Sequence, residues 1–393
     1  MRLFLIAGEP SGDRLGAALM AGLRELAPGV EFDGVGGPLM QAGGLVSRFP
    51  MDELSVMGLA EVLPRYFHLK RRIRETARAV LDSGARALVT IDSPDFCLRV
   101  ARLVKAARPG LPVIHYVAPS VWAWRPGRAA KMAQAVDHVL ALLPFEPPYM
   151  RAAGMSCDFT GHPAAAEPPA TPQEAAAFRA RHGIAAGAPL VLVLPGSRRG
   201  EVARLAPVFG AALGLVAPGC PGLRAVLPTL ETRESQVRAA VAGWPVPPVV
   251  LTGPEDKRAG FAAADAALAA SGTVSLELAA NDTPMVIAYD MNPISRFLIG
   301  RMLRVDTVTL VNLVSETRAV PEFLGHRCRP DLIAPALSAV LAGAAAQEAA
   351  MRLTMERLGR GGPPPGLRAA RSVLEAVERL GGRGCARPDV DFE

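Results

Sequence analysis

The sequence is poor in cysteine, histidine and aromatic residues. Cys97, Cys157, Cys220, Cys328 and Cys385 are scattered through 393 residues without a Cys-x-x-Cys pair. An odd, widely spaced set excludes a disulfide framework and a cysteine-rich zinc site, and it suits a reducing compartment. There is no His-Glu-x-x-His element and no close carboxylate cluster, so no metal and no cofactor is expected. Aromatic residues make up 5% of the chain and are not interleaved with basic ones. That argues against a stacking surface for nucleic acid. No unbroken apolar run reaches the roughly 18–20 residues that cross a bilayer. The apolar start passes at once into Gly8-Glu9-Pro10-Ser11-Gly12-Asp13 and lacks the long core and cleavage site of a signal peptide, so it reads as a buried strand. Acidic residues are outnumbered 37 to 43, a net charge of +6. This balance suits phosphorylated small molecules or an anionic lipid surface. The expected location is cytoplasmic, at most attached to a membrane face.

Half of the residues are hydrophobic, and the length allows two domains with full cores. Strand and helix signals alternate. Strands are expected at Arg2–Ala7, Ala87–Ile91, Pro112–Val117 and Val136–Leu143. After an Ala/Pro-rich linker they resume at Leu190–Leu194, Leu223–Leu227, Val249–Leu251, Ala266–Ala270 and Met285–Ala288. This predicts an α/β protein, two Rossmann-like domains facing across a cleft with additional C-terminal helices. The expected boundaries are 1–163 for the first domain, 164–172 for the linker, 173–358 for the second domain, and 359–393 for a Gly/Pro hinge, helix and tail. A helix is also expected over Ile294–Leu303.

Several turns carry chemistry. Pro195-Gly196-Ser197-Arg198 joins an apolar strand to a helix beginning near Glu201. Small residues there let backbone N–H groups approach an anion, and Arg198 adds a bidentate grip on phosphate. Ser271-Gly272-Thr273 opens a second helix, with Glu277 one turn in and placed to accept ribose hydroxyls. In the first half Glu9 and Asp92 follow strand ends, and Asp92 is a candidate base for an attacking hydroxyl. Each also fits a plainer role, such as helix capping for Asp92 and Asp13. His115 reads as a core residue. Trp122 and Trp124 line a sugar or acyl surface or simply pack. A basic, apolar stretch containing Val62, Leu63, Tyr66, Phe67, Leu69, Arg71 and Arg72 is a candidate membrane-docking helix.

Together the motifs resemble one family. They are Ala7-Gly8-Glu9-Pro10-Ser11-Gly12-Asp13, Met57-Gly58-Leu59-Ala60-Glu61-Val62-Leu63, Ile91-Asp92-Ser93-Pro94-Asp95-Phe96, and His115 through Trp124. Leu143-Pro144-Phe145-Glu146, Gly161-His162-Pro163, Leu194 through Arg198 and Ala270 through Thr273 complete the set. In this order, over about residues 1–325, they resemble the lipid-A-disaccharide synthase family. Pro10 stands where threonine is commoner, and Val311 where proline is usual.

The resemblance implies an inverting glycosyltransferase of the GT-B fold that needs no metal. It implies a UDP-2,3-diacylglucosamine donor, a 2,3-diacylglucosamine 1-phosphate acceptor, and a β-1,6 disaccharide made for lipid A on the inner face of the Gram-negative inner membrane. By motif matching Asp92 takes the essential acidic position, Glu9 a position important for activity, Arg198 the diphosphate arginine, Glu277 the ribose acid and Asn312 a donor-site asparagine. Family members can exchange their C-terminal region between two chains, which keeps a homodimer open. The competing readings are a soluble nucleotide-sugar 2-epimerase and a non-catalytic nucleotide-sugar or lipid-binding protein.

Overall fold

Strand β1 (Arg2–Ala7) is buried on both faces beyond its first residue, the condition of a central strand in a parallel sheet covered by helices on each side. In the computed structural model the chain forms two α/β units, Met1–Pro163 with Gly361–Glu393, and Ala164–Arg360. Residues 1–54, 59–124, 127–292, 296 and 305–381 are described, with the side chains of 59–65 and 254 excepted. The expected helix Ile294–Leu303 apart from Arg296, and Met57, Gly58 and the side chains of the rest of the Met57–Leu63 motif, therefore lie outside the described residues.

The first unit carries β1, β2 (Glu31–Val35), β3 (Ala87–Ile91), β4 (Val113–Tyr116), β5 (His138–Ala141) and β6 (Ser156–Phe159). They pair in the order β2-β1-β3-β4-β5-β6, all parallel. The second unit carries β7 (Leu190–Leu194), β8 (Arg224–Pro228), β9 (Pro248–Leu251), β10 (Ala266–Ala269), β11 (Met285–Tyr289) and β12 (Glu322–Leu324). Their order is β12-β11-β10-β7-β8-β9, again all parallel. The expected pair of α/β domains is thus observed. Strands β2, β6 and β12 go beyond the sequence expectation, and each is a sheet edge.

This topology positions a candidate site in each unit. In the first sheet the strand order reverses between β1 and β3, and in the second between β7 and β10. Ligands of open α/β sheets bind beyond the strand carboxyl ends at such reversals, where diverging connections leave a crevice. Ala7 pairs with Ile91 across the first reversal, so the chain leaves toward Glu9 and Asp92 side by side. Leu194 pairs with Ala269 across the second, and the Pro195–Arg198 and Ser271–Thr273 turns leave together.

Asp13 caps nothing in its own helix, Pro10–Leu26. Its buried carboxylate accepts from the backbone N–H groups of Gly37, Leu39 and Met40 at 2.9, 2.9 and 3.0 Å. It thereby satisfies the otherwise unpaired amino end of the short helix Pro38–Ala42 and fixes it to the first helix.

The C-terminal helix Pro365–Gly381 belongs to the first unit. Ala369, Ala370, Val373, Ala376 and Val377 join Leu15, Leu19 and Leu23 in one core cluster. Ser372 donates to Asp158 Oδ2 at 2.7 Å and lies 2.7 Å from the buried His138 Nε2.

Among the described residues one continuous helical run, Arg199–Gly219, is long and apolar enough to cross a membrane by composition. Val202, Leu205, Phe209 and Leu213 are buried with β7 residues Val191 and Val193. Its apolarity serves the core of the second unit.

Candidate functional site

The candidate site of the first unit is built at the ends of β1, β3 and β4. Asp92 and Ser93 adopt left-handed backbone conformations, φ 53° and 43°, and Pro94 then starts the helix Pro94–Ala107. The Asp92 N–H donates to the Tyr116 carbonyl at 3.0 Å, which ties this turn to β4. Ser11 Oγ donates to Asp92 Oδ2 at 3.2 Å. Glu9 is partly exposed at the N-cap of the first helix, with extended backbone and no side-chain cap bond. The structure therefore brings Glu9, Ser11 and Asp92 to one sheet end and separates Asp13 from them.

Gly8 is required at this corner. A Cβ on it would stand 2.6 Å from Ser93 Oγ, inside any tolerable contact, so a larger residue would push the Asp92–Ser93 turn away.

Val117 has φ 88°, a strained conformation for a β-branched residue. It is held by its N–H bond to the Leu140 carbonyl at 3.0 Å. The strain lies beside Asp92, on the loop that leaves β4. His115, buried in β4, sets Nδ1 2.7 Å from Thr90 Oγ1. Burial pushes its imidazole down to about 4, so it is neutral at pH 7. Trp122 donates to Glu146 Oε1 at 3.4 Å and meets Phe145 edge to face, with ring centroids 5.2 Å apart. Burial raises the Glu146 carboxyl to about 7, partly offset by the Leu143 N–H bond. The Trp122 indole thus packs on the Leu143–Glu146 motif.

The candidate site of the second unit is built at the ends of β7 and β10. Gly196 has φ 100°, and a Cβ there would lie 2.5 Å from Glu201 Oε2. Glycine therefore lets the turn close over Glu201 as well as adopt the left-handed conformation. The helix opens at Arg199, earlier than expected, with Glu201 in its first turn.

Glu201 organises the turn. It accepts from the Arg198 N–H at 3.2 Å, from Arg198 Nη1 at 3.0 Å and from Tyr289 Oη at 3.2 Å. The Arg198 side chain remains 67% exposed, and Nε and Nη2 take no described partner. That leaves one face of the guanidinium for a bidentate anion. Sequence reasoning missed Tyr289, which follows from β11 standing next to β10 in a non-sequential sheet. Ser197, Gly272 and Thr273 are exposed, and Ser271 is partly so.

Glu277 is already paired with Lys257, whose Nζ lies 2.7 Å from Oε2. Lys257 sits 20 residues upstream, and only the fold brings it there.

Two expected contributors already have partners within the fold. Asn312 is 1% exposed. Its Nδ2 donates to the Val320 carbonyl at 2.9 Å and to Thr307 Oγ1 at 3.3 Å, and its Oδ1 accepts from the Val320 N–H at 3.0 Å. The amide is fully engaged in its own loop and offers no free polar atom to a ligand.

Arg72 likewise has partners within its own unit. Its guanidinium takes both oxygens of Glu53 at 2.7 and 2.9 Å, reaches Glu75, and covers the Phe49 ring. Its helix, Leu59–Asp82, exposes Tyr66 by 46% and Phe67 by 83%. Leu69 is half-buried, and Arg71 is exposed beside Glu75. The side chains of Val62 and Leu63 are outside the described residues.

Residues 3–361 match the family model described as lipid-A-disaccharide synthetase. The chain is 65% identical over 385 residues to lipid-A-disaccharide synthase of Ruegeria pomeroyi, covering 96% of each. It is 50% identical over 381 residues to the Rhodospirillum centenum enzyme of the same name, covering 96% of this chain and 95% of that one. Among solved structures it is similar to a UDP-GlcNAc 2-epimerase from Neisseria meningitidis, with TM-score 0.63, 11% identity, and 96% and 100% of the two chains covered. It is also similar to MurG of Acinetobacter baumannii, with TM-score 0.53, 15% identity, and 96% and 99% covered. At these identities the structural likeness shows the fold, and that fold is the GT-B glycosyltransferase architecture.

Proposed function

The chain belongs to the lipid-A-disaccharide synthase family, and from that premise we propose how its residues carry out the transfer. A glycosyltransferase of lipid A biosynthesis takes a UDP-sugar donor and a lipid acceptor. In our reading the first unit activates the acceptor and the second holds UDP. The observation that supports this most is topological. In each sheet the candidate residues stand at the strand-order reversal, carboxylates in the first unit and the arginine turn in the second.

The Asp92 carboxylate takes the proton from the acceptor 6-hydroxyl. The resulting O6 attacks the donor anomeric carbon from the face opposite UDP. The C1–O bond to the β-phosphate breaks, inverting C1 and leaving the electron pair on the phosphate. Arg198 and the backbone of the Pro195–Ser197 and Ser271–Thr273 turns stabilise that charge, the largest contribution expected in such a step. Glu277 accepts ribose hydroxyls through the oxygen that Lys257 does not hold. Glu9 supports the acceptor beside Asp92. Asn312, with its amide engaged internally, shapes the loop before β12.

A 6-deoxy acceptor tests the assignment of the nucleophile. It is expected to bind as a competitive inhibitor with a Ki near the acceptor KM and to yield no disaccharide. A disaccharide formed from it would place the attack elsewhere.

The helix Leu59–Asp82 docks this enzyme on the inner face of the inner membrane, where acylated substrates reside. Phe67, Lys70, Arg71 and Arg74 share a helix face at i, i+3, i+4 and i+7 spacing. Inserting one phenylalanine contributes about 2 kcal/mol, or roughly 30-fold in partitioning. Flotation with anionic vesicles is therefore expected to recover the wild type and to lose most of a Tyr66→Ser/Phe67→Ser variant. Equal flotation of the two proteins would remove this helix as the docking element.

A further inference from the structure

A cavity of about 190 Å³ lies wholly within the first unit, at the ends of β3 and β4. Asp92, His115, Val117, Ser120, Arg128 and Met132 are among its walls. Asp92 is the proposed base, so the group it deprotonates has to enter this space. The other walls have no role in the transfer described so far.

Arg128 lies in the first turn of the helix Gly127–Met132 and is half-buried. It forms no ion pair with any described residue, whereas Arg72, Arg179 and Arg318 are each held by a carboxylate. His115 is neutral and has Nδ1 occupied by Thr90. Arg128 is therefore the one cation among the described walls of the cavity. The apolar side chains of Leu98 and Met132 complete a surface suited to the face of a sugar ring.

The strained Val117 backbone fixes the same wall, and strain of this kind persists where surrounding structure enforces it.

The geometry points to this cavity as the subsite for the acceptor's sugar phosphate, with Arg128 gripping the 1-phosphate while the 6-hydroxyl reaches Asp92. This rests on the transferase reading and deepens it. The acceptor is set apart from neutral glycolipids by its phosphate dianion, and a guanidinium matches a phosphate with two parallel hydrogen bonds. The donor diphosphate is assigned to Arg198 on the other unit, so Arg128 discriminates among acceptors only.

The test compares diacylglucosamine 1-phosphate with unphosphorylated diacylglucosamine as acceptors for the wild type, Arg128→Ala and Arg128→Lys. Wild-type kcat/KM is expected to favour the phosphorylated acceptor about 10- to 100-fold. Arg128→Ala should erase that preference through the acceptor KM, with UDP affinity unchanged. Arg128→Lys should restore part of it. Equal loss on both acceptors, or an undiminished preference, would overturn the assignment. Calorimetric titration with soluble glucosamine 1-phosphate separates the two readings. Binding by the wild type and its loss in Arg128→Ala support the subsite even if no disaccharide forms. Equal binding by both proteins overturns it.

Discussion

Replacing Asp92 with asparagine is expected to lower kcat about 10²- to 10⁴-fold, the usual worth of a positioned general base. The backbone makes this substitution unusually clean. Asp92 sits at φ 53°, a conformation that asparagine and aspartate tolerate better than other non-glycine residues. Asparagine therefore keeps the turn, the N–H bond to Tyr116 and a hydrogen-bonding partner for Ser11. It loses only the capacity to take a proton. The KM values for both substrates should change little, because ground-state contacts survive. Asp92→Ala would be less informative, since it also strains the turn. Initial rates of disaccharide formation, with circular dichroism as the control for folding, decide the matter. An Asp92→Asn variant with full kcat would show that another group is the base, and Glu9 would be the next to examine.

Replacing Arg198 with alanine is expected to lower kcat/KM for the donor about 10²- to 10³-fold, comparable with removing a donor that stabilises developing charge. The Arg198–Glu201 pair adds little to folding, since its arginine is solvent-exposed and Glu201 keeps the Arg198 N–H and Tyr289 Oη as partners. The variant should therefore fold normally. Glu201 matters by aim, because its two oxygens hold the Arg198 N–H, Nη1 and Tyr289 Oη. Arg198→Lys should recover only part of the loss, because an ammonium lacks the planar two-point geometry. Donor-dependent kinetics and UDP titration read both effects. Unchanged donor kinetics in Arg198→Ala would move the diphosphate to another part of the second unit.

These expectations draw on features of uneven legibility. Strands buried on both faces announced themselves as continuous apolar runs, and Leu190–Leu194 was readable to the residue. The turns after them were readable for the same reason, since a small-residue break after such a run has few other meanings. Three of the four edge strands were not readable, Val249–Leu251 being the exception. Glu31-Phe32-Asp33-Gly34-Val35 and Ser156-Cys157-Asp158-Phe159 carry charged or half-exposed residues, and Glu322–Leu324 is three residues long. An edge strand lacks a neighbour on one side and need not be apolar throughout.

Side-chain commitments were the least legible. Nothing local in the sequence shows that Asp13 serves a helix 25 residues away, that Arg72 turns back to Glu53, or that Asn312 closes on Val320. Each depends on a partner that only the fold brings near. His115 read as a core residue because it lies inside a strand. The structure keeps it buried and also makes it a wall beside Asp92, a consequence of its place in β4 next to β3.

The most direct test of the account is product analysis with the purified chain, UDP-2,3-diacylglucosamine and 2,3-diacylglucosamine 1-phosphate, in the presence of a chelator. Mass spectrometry and NMR of the anomeric proton should show one disaccharide 1-phosphate with a β-1,6 linkage for each UDP released. UDP release without disaccharide, an α linkage, or conversion of the donor to its 2-epimer would contradict it.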